Sequence, residues 1–214
     1  ESEKIDVKSL DIGKLVDIYP KSAELYNADK SFQKIAQKIN KDLNNEVQSE
    51  VEKWKKIKNI SMEKLKKTLS LLNHDFDLWL GESDVNGLIE PMIEDLMKKG
   101  KVEYDDNAIV SSQEVDPKIL ITKSDGSYLY LTTDLGTILN RLDKNPYDIA
   151  LYVVDNRQKL HFEQLFSSVE YFNFPEKEYT HVSFGTINDE KGNPFKTREG
   201  GTKQLTNLYK ETFE

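Results

Sequence analysis

The stretch that decides the fold is DIALYVVDNRQKLHFEQLFSSVEYFNFPEKEYTHVSFG, residues 148–185. Ile149 to Val154 is an unbroken apolar run, the pattern of a strand covered on both faces. Phe162, Leu165, Phe166, Val169 and Phe172 then recur at helical spacing, and Thr180 to Phe184 reads as a second strand. Strand, helix and strand in this order form a β-α-β unit, which places the chain in the α/β class. In such sheets ligands gather beyond the carboxyl ends of the strands. Asp155 and Gln158 lie just past the first strand, and Gly185 closes the second.

Working toward the N-terminus, two pairs of short strands are expected. Val102 to Tyr104 and Ala108 to Val110 flank Asp105-Asp106-Asn107, and Ile119 to Thr122 and Tyr128 to Leu131 flank Ser124-Asp125-Gly126. Asp-Gly is a strong hairpin signal because glycine accepts the positive φ of a tight turn. Before them a helix runs from about Ser83 to Lys99, with Pro91 expected to start a new turn or kink it and Gly100 to close it.

Further upstream, residues 29–73 are helical. Phe32, Ile35, Ala36, Ile39 and Leu43 form one stripe, continued by Val47, Val51 and Trp54. Ser61 occupies an N-cap position ahead of Met62, Leu65, Leu69 and Leu72. Lys53, Lys55, Lys56, Lys58, Lys64, Lys66 and Lys67 crowd the same region. They fit the solvated back of amphipathic helices better than an RNA-contact surface.

Composition narrows the function classes. The 214 residues are 37% hydrophobic and 32% charged, so a core is possible but modest. The net charge of −8 argues against a free-standing RNA-binding domain, although a local basic patch on a large enzyme could still hold RNA. With no cysteine and three separated histidines (His74, His161, His181), no thiolate metal site and no structural zinc are expected. No stretch approaches a membrane span, and a cytoplasmic location is the natural expectation.

The loop GNPFKTREGG at 192–201 carries Lys196, Thr197 and Arg198 between glycines. A mobile loop with two cations suits phosphoryl or nucleotidyl transfer, whose transition state spreads negative charge over phosphate oxygens. Alone it is weak, since such surface loops are common. Together with its neighbours it becomes specific. GNPFKTREGGT resembles the degenerate KMSKS loop of arginyl-tRNA synthetases, and KSDGSYLYLTTDL at 123–135 resembles the same family's Asp-Gly-x-x-x-Tyr-x-x-x-Asp segment. YVVDNRQKLHFEQLF at 152–166, HVSFG at 181–185 and GES at 81–83 also match, with order and spacing agreeing over roughly residues 78–206.

The resemblance implies an arginine pocket of Tyr130, Asp134 and Gln158, with the carboxylate taking the planar guanidinium through paired, charge-assisted hydrogen bonds. It implies ATP contacts from Asp155, His161, His181, Phe195 and Thr197, and catalytic contacts to the phosphates from Lys196 and Arg198. From the residues alone, Asp134 reads better as a helix N-cap after Thr132-Thr133, and Tyr130 as an inward-packing strand residue. The implied reaction joins arginine to tRNA by way of an adenylate made with ATP and Mg²⁺.

No His-x-Gly-His motif occurs among the 214 residues, and the family's anticodon-reading helical domain is expected to lie outside them. The expectation is an internal piece, inactive alone, whose partners are arginine, tRNA and the remaining halves of the synthetase. The alternative is a non-catalytic arginine- or nucleotide-binding, or interaction, module derived from it. The architecture implied is the second half of a Rossmann-like domain with a helical insertion and small antiparallel hairpins. Its boundaries fall at 1–75 for the helical connecting region, 76–126 for the helix and hairpins, and 127–214 for the Rossmann-like half.

Overall fold

The computed structural model describes residues 9–112, 118–186, 188, 192, 205, 207 and 209. They fall into two compact units, one of residues up to 77 with those from 188 onward, the other of residues 78–186.

The first unit is helical: α1 (Ile12–Ala28), α2 (Lys30–Asn44) and α3 (Gln48–Leu71) pack pairwise. Capping sets the boundaries. Asp11 accepts from the Lys14 amide at 2.9 Å and opens α1. Asp29 closes α1 and opens α2, its carboxylate accepting from the Ser31 amide at 2.7 Å. Glu46, at φ 55°, makes the left-handed turn into α3. Ser61 lies inside α3 and is not an N-cap: no glycine or proline interrupts the stretch, and serine in mid-helix costs only tenths of a kcal/mol. No described residue between 9 and 77 is buried. No described helix is long and apolar enough to cross a membrane.

The second unit is α/β. A helical turn at Glu82–Asp84 leads into α4 (Asn86–Lys98), which continues through Pro91 rather than restarting there. The new turn lies upstream, where the Asp84 carboxylate accepts from the Gly81 amide at 2.7 Å. Gly100, at φ 64°, closes α4 as its sequence position requires.

Next, β1 (Val102–Asp105), β2 (Ala108–Ser111) and β3 (Leu120–Thr122) form an antiparallel sheet in that order. The second expected hairpin is much shorter than its residues suggest. Only the bridge Thr122 to Tyr128 remains, around a turn in which Gly126 takes φ 80° and Asp125 accepts from Ser127. The chain enters α5 (Tyr130–Lys144) at once.

The β-α-β unit follows as β4 (Ile149–Asp155), α6 (Lys159–Tyr171) and β5 (Glu178–Phe184), its strands parallel with Val153 opposite Val182. The apolar run of β4 is covered on one face only. Tyr152 and Val154 pack against the core, whereas Leu151 and Val153 are 62% and 64% exposed. Ile149, Val182 and Phe184 share that open character, because no other described element covers this side of the sheet.

The core joins Ile89, Met92 and Leu96 of α4 with Val102, Ile109 and Ile121 of the small sheet. Leu135 and Ile138 of α5 and Phe162, Leu165 and Val169 of α6 complete it. Lys101 ties the small sheet to α6: its ammonium donates to the Tyr171 carbonyl at 2.8 Å and lies 5.0 Å from the Tyr171 ring.

Candidate functional site

Helix α5 begins at Tyr130 because the first turn is anchored from outside. Thr132 is fully buried and donates its hydroxyl hydrogen bond to the Ile121 carbonyl of β3. Thr133 donates back to the Tyr130 carbonyl at 2.9 Å. This replaces both expectations drawn from the local residues. Tyr130 is a helix-start residue, 72% exposed, and not an inward strand residue. Asp134 sits in the second turn and caps nothing; the N-cap position is Leu129, which has no capping side chain. Tyr130 and Asp134 are four residues apart and lie on the same face of the helix, one turn from each other.

A second helix start meets this face. Gln158 precedes α6 and His161 lies in its first turn. The His161 Nε2 is 2.7 Å from the Asp134 Oδ2, with both side chains partly open to solvent. Tyr130 and His161 line an open cleft of about 860 Å³, together with Tyr128, Leu160, Gln164 and Lys123. Gln158 is exposed at the start of the same helix.

The residues matched to the nucleotide separate by environment. Asp155 ends β4 and spends both carboxylate oxygens on Arg157: Oδ1 accepts from its amide at 2.8 Å and from Nε at 3.0 Å, and Oδ2 from Nη2 at 2.9 Å. The Arg157 hydrogen bonds hold its carboxyl below the usual range. His181 is turned toward the covered side of the sheet, its ring 4.8 Å from that of Phe162 and its Nε2 donating to the Val154 carbonyl at 3.1 Å. Phe195, Lys196, Thr197 and Arg198 lie outside the described residues.

The pairing of Asp134 with His161 escaped the local reading. The two are 27 residues apart and no spacing rule links them. The only available signal was that both matched the same family's motifs, one to the amino acid and the other to the nucleotide.

The model of the tRNA synthetases class I (R) catalytic domain matches residues 1–214. The chain belongs to this family. An arginine–tRNA ligase of Alkaliphilus oremlandii is 38% identical over 205 residues, covering 92% of this chain and 35% of the relative. The arginine–tRNA ligase of Francisella tularensis subsp. novicida is 36% identical over 207 residues, 95% of this chain and 36% of that protein. The chain thus spans about a third of the length of these relatives. Among solved structures, arginyl-tRNA synthetase from Plasmodium falciparum shares the fold with a TM-score of 0.63 at 20% identity, over 84% of this chain and 34% of that one. A putative arginyl-tRNA synthetase from Campylobacter jejuni does so with a TM-score of 0.56 at 15% identity, over 74% and 35%. Membership of the class I arginyl-tRNA synthetase family agrees with the α/β architecture and its parallel β-α-β unit.

Proposed function

We propose that this chain supplies the arginine-recognising part of an arginine–tRNA ligase, with Asp134 as the carboxylate that takes the substrate guanidinium. The observation that carries the reading is the contact of Asp134, one turn beyond Tyr130 on α5, with His161, which lines an open cleft together with Tyr130. A carboxylate there can accept a two-pronged guanidinium bond, for which an ammonium lacks the geometry. Tyr130 would supply an aromatic wall and a hydroxyl, and Gln158 a further polar contact from the start of α6.

In the complete ligase the arginine carboxylate attacks the α-phosphate of ATP, giving arginyl-adenylate and pyrophosphate. The arginyl group then passes to the terminal ribose of tRNA. No covalent enzyme intermediate is required, so catalysis rests on positioning and on neutralising phosphate charge. Lys196 and Arg198 would meet the phosphates, with Phe195 and Thr197 shaping the loop. Asp155, committed to Arg157, does not suit a metal ligand; Mg²⁺ is assigned to the phosphates of ATP and to none of the described residues. The isolated chain is expected to form no adenylate.

The test is Asp134→Ala in the full-length protein, followed by arginine-dependent ATP–pyrophosphate exchange. The arginine KM should rise by roughly 100-fold or more, the scale of losing a charge-assisted fork, with the ATP KM little changed. An unchanged arginine KM would remove Asp134 from the pocket and with it this reading.

A further inference from the structure

In the arginine pocket proposed above, one residue has a different place from the one its motif implies. We propose that His161 is a positioning residue for arginine, which fixes the rotation of the Asp134 carboxylate and so aims it at the guanidinium. His161 is the only hydrogen-bond partner of that carboxylate among the described residues, at 2.7 Å. Asp134 accepts, so the imidazole must present its hydrogen at Nε2. The contact joins α5 to the first turn of α6 and bridges 27 residues of sequence.

A carboxylate has about four lone-pair positions. One bond to Oδ2 leaves Oδ1 and the remaining position on Oδ2 for the two prongs of a guanidinium. Without that bond a partly exposed aspartate rotates freely about its side-chain torsions, and binding arginine would cost the entropy of ordering it. A single bond from the imidazole Nε2–H orders the group and leaves its other lone pairs open. The ring is itself braced edge-on by Phe162, at 5.3 Å between centroids, and Phe162 is a buried core residue. The core thus sets the imidazole, the imidazole sets the carboxylate, and Tyr130 stands one helical turn away beside the same cleft.

The experiment compares His161→Ala, His161→Leu and His161→Gln in the full-length protein by ATP–pyrophosphate exchange, with thermal melts to confirm folding. Gln keeps an N–H on a side chain of similar reach; Leu keeps only bulk. Positioning predicts that Ala and Leu raise the arginine KM by about tenfold, the scale of one charge-assisted hydrogen bond, with kcat and the ATP KM changed less than about twofold. Gln should recover to within about threefold. In a cycle with Asp134→Ala, the His161 effect should vanish once the carboxylate is gone. Equal behaviour of Leu and Gln would reduce His161 to packing and overturn the proposal. A raised ATP KM with an unchanged arginine KM would overturn it in favour of a nucleotide contact. If Asp134→Ala raises the arginine KM and the His161 variants do not, only the positioning role fails. If Asp134→Ala itself has no effect, the pocket reading fails first.

Discussion

The helical unit and the α/β unit display the same kind of amphipathic signal and reach different ends. In α2, Ile35 and Ile39 belong to a regular apolar stripe, yet Ile35 remains 57% exposed. In α6, Leu165 and Val169 belong to a similar stripe and are buried. The difference lies in what each stripe meets. Three helices packed pairwise cover only part of one another's surface, whereas α6 is enclosed by the parallel strands, α5 and the small sheet. Periodicity therefore tells which face seeks cover; the depth of burial depends on how many layers close over it.

The largest expected effect tests that contrast directly. Leu165→Ala in the α/β core should cost about 2–5 kcal/mol in urea denaturation, since the emptied site is surrounded by packed neighbours. Ile39→Ala in the helical stripe should cost less than about 1 kcal/mol. Equal losses would erase the distinction between the two units.

A smaller effect sharpens it through pH. Burial between α5 and α6 pushes the Tyr152 phenol up from 10.0 to about 12, partly offset by the Arg141 guanidinium. Its ring lies 5.0 Å from Phe162 and 5.5 Å from Phe166. The folded state thus holds this proton more tightly than the unfolded chain. The stabilisation is complete below pH 10 and is lost as pH rises from 10 toward 12. Denaturation across this range should show a loss to which Tyr152 contributes on the order of 1–2 kcal/mol, so that Tyr152→Phe makes the slope shallower, the remainder coming from Tyr179, which burial pushes up likewise. An unchanged slope in the Phe variant would place its origin elsewhere.

The smallest effect concerns cooperativity inside the α/β unit. Lys101→Met removes the bond to the Tyr171 carbonyl and the charge over its ring, and should cost about 1 kcal/mol. Hydrogen exchange should quicken in β1 and β2 and stay unchanged in α1 to α3. Uniform quickening across the chain would mean that Lys101 supports more than the small sheet.

Much of the fold follows from local chemistry. The β-α-β unit, the hairpin of β1 and β2, the positive φ at Gly100 and the stripes of the long helices all follow from short-range rules of period and turn. Where those rules misled, longer-range contacts had intervened. Tyr130 carries the residues of a strand, but the buried Thr132 hydroxyl bonds to Ile121 and starts the helix earlier. Ser61 reads as a cap, but an uninterrupted helix absorbs it. The apolar run of β4 reads as buried on both sides, but only one side has cover. Motif order along the chain likewise identified the family, because five patterns in register constrain identity more than any single pattern does.

What the sequence by itself determined about this protein is its class, its family and the types of residue available for a guanidinium. Only the tertiary structure decided which of them meet. Asp134 and His161 belong to different helices, and their contact depends on how α5 and α6 pack over the sheet. Hydrophobic periodicity specifies a buried face but not the rotation and offset at which two such faces settle. That offset determines whether two side chains 27 residues apart stand within hydrogen-bonding reach.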